Sequence, residues 1–434
     1  MKKKKISDFR YDTGPARIPW SAVGEKIKLQ DIMEILKFLI PPKNKKYKIQ
    51  LKKVEKELKK LIENSELSSK LTLGDKVRTL EEEVKKFLKC KYAVFLTNAT
   101  AGFEIAYKFA GLKPGDEVIA PAITFIATIS YPLSIGAKVV LVDVDPKTLN
   151  MDPEDLARKI TKNTKVIVPV HIGGYPCDMD AIMDIARKFN AVVLEDAAHA
   201  FGAKYNDKMV GTIGHFGAFS FHEVKNITSL GEGGILVTNE KIGEDFPKAR
   251  FVGFNISNPI PFWLYDVVAL KWRGDYFAPG NHSATEIQAV ALLSQMKRIN
   301  KIIGKRRKAA EYLNERFKNV KGIVIPPLDD KKIKSTHHLY LFQVDPGVLN
   351  GDIQKVKEKM GEKGITQIPH FAPLYRFSIM KQLGYDTEKI KETCPNAEEV
   401  FLHRFTHLPL YDFKKVDLKY MSDTIIKIIK EMQK

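Results

Sequence analysis

The chain has 434 residues, a formal net charge of +19, and 44% apolar and 10% aromatic residues. That composition excludes a disordered chain, and the length exceeds one ordinary core, so two packed domains are expected. No apolar run reaches the roughly 18 residues of a membrane span, and no signal core follows the opening lysines. Cys90, Cys177 and Cys394 are too scattered for a metal site or a disulfide framework, so a cytoplasmic protein without a membrane span or a metal is expected.

The charge leaves two readings open. Much of it is lysine spread over helical surfaces, as a compositional bias of the host produces, but it also suits an anionic substrate. Residues 1–77 read as a lysine-rich N-terminal extension. Between Pro42 and Leu61 nine lysines stand against two glutamates, and Ile49, Leu51, Val54, Leu58, Leu61 and Ile62 recur at helical spacing. This predicts an amphipathic helix whose apolar stripe packs on the main body and whose basic face is solvated. No nucleic-acid motif accompanies it, and no nucleic-acid partner is expected.

Residues 78–260 read as a large domain of alternating helices and apolar strands. Leu80 to Leu88 is a helix and Ala93 to Leu96 a strand. A turn at Thr97-Asn98 opens a helix through Phe109, and Pro114-Gly115-Asp116 breaks the chain before the strand Glu117 to Ile119. Further strands are predicted at Lys138 to Val142, Val166 to Pro169 and Ala191 to Leu194, with helices at Asp152 to Lys159 and Met179 to Phe189. Such alternation implies an α/β fold, a mainly parallel sheet flanked by helices, with ligands at the carboxyl ends of the strands. Between Phe216 and Asn239 the pattern becomes strand, loop, Gly231-Glu232-Gly233-Gly234, strand. Residues 261–320 hold an interface segment and one long linking helix, Thr285 to Lys318. Residues 321–434, with a strand at Leu339 to Val344, read as a smaller α+β domain.

Four features carry chemistry. The apolar strand Val192 to Leu194 ends in Glu195-Asp196, which sets both carboxylates at the ligand rim, where Asp196 can hold a protonated heteroaromatic nitrogen or simply cap the next helix. Lys225 lies in the mostly uncharged stretch Phe219 to Asn226, between apolar segments, where desolvation turns a lysine into an amine nucleophile for Schiff-base chemistry. Ser220 offers a hydroxyl to a phosphate, and the glycine turn at 231–234 gives room for close backbone approach. The small-residue turn Thr97-Asn98-Ala99-Thr100 opens a helix whose first amides form a phosphate cradle, and Phe125 either stacks on a flat ring or belongs to the core. A phosphate cradle, a stacking aromatic, an Asp for a ring nitrogen and a Schiff-base Lys are together what pyridoxal phosphate requires.

From about Arg78 onward the chain resembles the DegT/StrS-type sugar aminotransferases of the aspartate aminotransferase fold, pyridoxal phosphate fold type I. The resemblance rests on residues 114–119, Thr124 to Thr128, Glu195 to His199, Phe219 to His222 with Lys225-Asn226, and Gly231 to Gly234. It continues through Asn281, Glu286 to Ala289, Pro395 to Glu398 and Leu408 to Leu410. It implies that Lys225 carries the cofactor, Asp196 partners the pyridine nitrogen, Phe125 stacks on the ring and His199 lies beside the phenolic oxygen. Ser220 and the backbone of Ala99-Thr100 would bind the phosphate, and Asn281 would complete the neighbouring subunit's phosphate site, which implies a homodimer. His370 and Phe371 fall where the family meets its sugar. The implied reaction is ping-pong transfer of an amino group from glutamate or glutamine to a keto sugar. The resemblance leaves open nucleotide-linked 4-keto or 3-keto sugars, a free keto sugar acid and keto cyclitols, and the positive charge leans toward a nucleotide-linked one.

The chain departs from the family pattern in having Ala99 before Thr100, Ser283 in place of an Arg, an aromatic-rich stretch at Pro259 to Arg273, and an insertion at about 43–75 that displaces Ile18-Pro19-Trp20. A sugar 3-dehydratase on the same fold carries histidine where Lys225 stands. A regulatory or binding protein on this fold would be expected to have lost Lys225 or Asp196.

Overall fold

The structure is a computed structural model that describes residues 27–65, 71–367, 371–410 and 414–434. The stretch Ile18-Pro19-Trp20 lies outside the described residues. At the centre is a seven-stranded sheet. Its strands in chain order are β1 (Tyr92–Leu96), β2 (Glu117–Pro121), β3 (Lys138–Val142), β4 (Thr164–Ile167), β5 (Val192–Asp196), β6 (Phe216–Ser220) and β7 (Gly234–Thr238). In space the order is β1-β7-β6-β5-β4-β2-β3. β7 runs antiparallel to both its neighbours, while β6-β5-β4-β2-β3 are parallel. The sheet is therefore mainly parallel, as the apolar strands require.

Helices α3 (Asp75–Leu88), α4 (Ala99–Phe109), α5 (Ala127–Ser134), α6 (Pro153–Lys159) and α7 (Met179–Phe189) accompany the strands. α3 buries Val77, Leu80, Val84 and Leu88, one stripe of a helix of normal period. It starts earlier than its sequence predicts because the carboxylate of Glu286 accepts from the amides of Gly74 and Lys76, each at 2.7 Å. That cap comes from more than two hundred residues away.

The long helix expected from Thr285 to Lys318 is two helices, α8 (Glu286–Met296) and α9 (Ile299–Phe317). Arg298, with φ −124°, breaks it. α9 begins in the core beside the main sheet with Ile299 and Ile303, and ends in a second core with Ala310, Leu313 and Phe317. That second core surrounds an antiparallel sheet of β8 (Ile323–Val324), β9 (Tyr340–Val344) and β10 (Phe405–Leu408). α10 (Ile353–Glu362) and α11 (Lys415–Met432) cover it. Cys90, Cys177 and Cys394 are free and buried. No helix among the described residues is long and apolar enough to cross a membrane.

The N-terminal region forms a hairpin of α1 (Leu29–Leu39) and α2 (Tyr47–Glu63). The amphipathic helix is present, but its stripe is not packed away. No residue of α2 is buried, and Ile49, Val54 and Leu61 are exposed. α2 instead lies along α1, with Leu51, Leu58 and Ile62 half-buried.

Candidate active site

The residues singled out by chemistry gather at the carboxyl ends of β1, β2, β5 and β6, the ligand-binding rim of a parallel sheet. Asp196 ends β5 and is buried. Its Oδ2 accepts the Thr128 hydroxyl at 2.7 Å, and its Oδ1 accepts the Ala198 amide at 3.1 Å. Thr128 is itself tied to the Thr124 hydroxyl at 2.9 Å, and its carbonyl accepts from Tyr107 at 2.6 Å. Burial pushes the Asp196 carboxyl above the usual carboxylate range, and the Thr128 hydrogen bond opposes this without cancelling it. A buried carboxylate with donors on both oxygens still gains from a neighbouring cation.

Glu195 does not share that rim. Successive residues of a strand face opposite sides of the sheet. Its carboxylate points away, accepting from the amides of Gly211 (2.6 Å), Ile213 (2.7 Å) and Gly214 (2.6 Å) and meeting His171 at 3.1 Å. The expectation that both carboxylates line the site is corrected: Glu195 organises the 211–214 turn behind it.

Lys225 lies in the loop after β6, half-buried, its amide donating to the His222 carbonyl at 2.9 Å. Desolvation lowers its ammonium from 10.5 to about 8, while the Asp196 charge pulls the other way. The two groups therefore sense each other across the site. The loop is closed by buried Ser229, whose hydroxyl lies within hydrogen-bond reach of the carbonyls of Phe221 and Glu232. Gly234, at the start of β7, is required by proximity: a Cβ there would lie 2.2 Å from the carbonyl carbon of Asn98 and 2.3 Å from the amide nitrogen of Ala99. The glycine turn thus presses against the start of α4. Asn98 caps that helix by accepting from the Ala101 amide at 2.9 Å. The first amides of α4, Ala99 and Thr100, have no acceptor within the helix and are available to an anion. Ser220 ends β6 half-buried, with its hydroxyl oxygen accepting from the His222 amide at 3.3 Å.

Phe125 is 61% exposed, which decides against a core role: the strand end after β2 presents an open aromatic face. On the other flank, the His199 ring stacks on Phe371 at 5.6 Å and meets His338 at 4.5 Å. Its Nδ1 accepts the Gly173 amide at 3.3 Å, so the neutral ring carries its proton on Nε2. His338 lies 3.0 Å through Nδ1 from the Asn226 side-chain oxygen, and so donates there. Burial, with His199 and Lys225 nearby, keeps its ring well below the usual histidine range.

Phe371 thus joins the site, while His370 lies outside the described residues. Asn281 is tied elsewhere: its side-chain oxygen accepts from the Ser283 amide at 3.1 Å, and it bridges to Phe251. Thr128 and His338 escaped the sequence reading. Thr128 sits in a motif four residues after Thr124, the one local signal available. His338 stands in a His-His pair before an apolar strand, which ordinary core histidines also do.

These residues fit pyridoxal phosphate. An open aromatic face, a buried carboxylate short of a cation, a desolvated lysine and unfilled helix amides match its ring, its nitrogen, its aldehyde and its phosphate. Comparison with known proteins agrees. The profile described as the DegT/DnrJ/EryC1/StrS aminotransferase family matches residues 52–425. The chain is 34% identical to the spore coat polysaccharide biosynthesis protein SpsC of Bacillus subtilis, over 82% of this chain and 90% of that one. It is 32% identical to the UDP-4-amino-4-deoxy-L-arabinose–oxoglutarate aminotransferase of Shewanella sediminis, over 83% and 92%. The solved structure of the putative sugar aminotransferase Spr1654 from Streptococcus pneumoniae, in its PMP form, superposes with a TM-score of 0.74 at 27% identity, over 84% of this chain and 94% of that one.

Proposed function

The chain belongs to the DegT/DnrJ/EryC1/StrS aminotransferase family of pyridoxal phosphate enzymes, and from that premise we propose that it moves an amino group from glutamate or glutamine to a nucleotide-linked keto sugar. The observation that carries this reading is the pairing of a desolvated Lys225 with a buried Asp196. The name of the Shewanella relative joins a UDP-linked amino sugar with oxoglutarate, the keto form of glutamate, and so supports this donor and acceptor. The net charge of +19 supports an acceptor bearing a diphosphate.

In this reading Lys225 would hold the cofactor covalently and Asp196 would hold its ring nitrogen. Phe125 would cover one ring face, and Ser220 with the amides of Ala99 and Thr100 would hold the phosphate. Asn281 would reach the phosphate bound by a second copy of the chain. The exposed apolar residues Ile287 and Val290 on α8, with Phe262 and Trp263, support a homodimer. When bound, pyridoxal phosphate supplies an electron sink for the carbon that loses a proton. As a free neutral amine, the Lys225 side chain would take that proton from the donor carbon and deliver it to the cofactor carbon. Asp196, fixed by Thr128 and Ala198, would keep the ring nitrogen cationic. His199, held against Phe371 and accepting from Gly173 at Nδ1, would offer its Nε2 N–H to the phenolic oxygen. Phe371, stacked on His199, would bound the sugar, a role that the family resemblance assigns to His370 as well.

Glutamate added to the yellow holoprotein is expected to remove the absorbance near the visible edge, and a keto sugar nucleotide to restore it. A preparation that stays colourless with excess cofactor, or ignores every amino donor, overturns the reading. The rate at which the cofactor-free chain takes up pyridoxal phosphate has its own signature. Only the neutral amine adds to an aldehyde, so that rate rises about tenfold per pH unit below the lysine's pKa and is flat above it. With Lys225 lowered to about 8 the break falls there; an ordinary lysine would place it at 10.5.

A further inference from the structure

The turn of the α1–α2 hairpin has a composition the catalytic site does not use. From Ile35 to Val54 the chain carries seven lysines and no acidic residue. Of these only Lys37 is ion-paired among the described residues, with Glu34. At the same turn Phe38 is 83% exposed, and Leu39, Ile40 and Ile49 are each more than half exposed. Pro41-Pro42 follow at once and hold the tip away from helical geometry.

We propose that this tip docks the protein on an anionic lipid surface, with Phe38, Leu39, Ile40 and Ile49 entering the headgroup boundary and Lys43, Lys45, Lys46 and Lys48 meeting lipid phosphates. The charge selects the occupant. Two copies of a tip with a strongly positive net charge repel, which disfavours a second chain as the partner. A nucleic acid would satisfy the lysines but leave the exposed apolar cluster in water. An anionic bilayer satisfies both, since interfacial binding combines buried apolar area with attraction between lysines and lipid. The apolar run is too short to span, so the contact is peripheral.

Co-sedimentation of the full-length holoenzyme with vesicles tests this. At low salt, binding to phosphatidylglycerol-containing vesicles is expected to exceed binding to pure phosphatidylcholine by at least about tenfold, and to weaken as salt rises. Phe38→Ser with Ile40→Ser, and separately Lys43, Lys45, Lys46 and Lys48 each →Gln, are expected to cut that binding by about tenfold with amino transfer unchanged. Absent binding, equal binding to both vesicle types, or variants that bind like the parent chain would overturn the proposal. So would a fall in molecular mass by light scattering in the Phe38 and Ile40 variant, which would assign the tip to contact between copies. RNA binding that survives the Phe38 and Ile40 changes would likewise assign the lysines to nucleic acid.

Discussion

Lys225→Ala is expected to lower amino transfer by about ten-thousand-fold, or roughly 5 kcal/mol of barrier, while the chain stays folded. On the roles proposed for Lys225, the size follows from two losses at one atom: the covalent seat of the cofactor and the amine that would carry the proton. The fold survives because Lys225 is half-buried in a loop that is held through the backbone, where its amide donates to the His222 carbonyl. Removing an amine from a desolvated place relieves the site, since burial already drives that group toward its neutral form. Borohydride is expected to fix pyridoxal phosphate to the parent chain on the peptide holding Lys225, and to fix none at that peptide in the variant. A small primary amine supplied in solution is expected to restore part of the lost rate. If the variant turns over at more than a hundredth of the parent rate without such an amine, Lys225 is not the proton carrier.

Asp196→Asn is expected to lower amino transfer by about a thousand-fold, because a neutral amide cannot keep a ring nitrogen protonated. The stability effect has the opposite sign. A carboxyl whose folded pKa is raised is a burden when ionised: the folded state binds a proton that the unfolded state releases, so stability falls as pH rises from the ordinary carboxylate range through the raised value. Asparagine removes that burden. The cofactor-free variant is therefore expected to melt no lower than the parent at neutral pH, while losing most of the stabilisation that bound cofactor gives. Thermal melts with and without pyridoxal phosphate, read beside turnover, separate the two effects. Thr128→Val, which removes the donor to Oδ2, is expected to move in the same catalytic direction by about tenfold. A cofactor-free Asp196→Asn chain that melts well below the parent would show that the carboxylate is structural.

The sequence carries the site where chemistry follows a local pattern, and loses it where partners come from afar. Asp196, Ser220 and Phe125 are legible because each closes or follows an apolar strand, and a parallel sheet brings strand ends together. Lys225 is legible only in their company, in a chain with so many lysines. Glu195 faces away from the site for a reason the sequence does contain, since a strand alternates faces and adjacent carboxylates cannot share one. Thr128 is bonded to a residue 68 positions away, and the Glu286 cap of α3 spans 212. No periodicity encodes such pairs. The break between α8 and α9 has no proline or glycine at Lys297-Arg298 to announce it. The stripe of α2 is legible as amphipathic, but a pattern of apolar residues cannot say whether the surface it meets is protein.

α9 begins in one core and ends in the other. A helix is cooperative along its length, so neither end can be released without straining the other. The small antiparallel sheet and the main parallel sheet are in this sense a single thermodynamic unit, spliced by a shared rod. Protection of backbone amides against exchange should then be inherited across the joint, with the C-terminal layer as slow to open as the sheet that carries the chemistry.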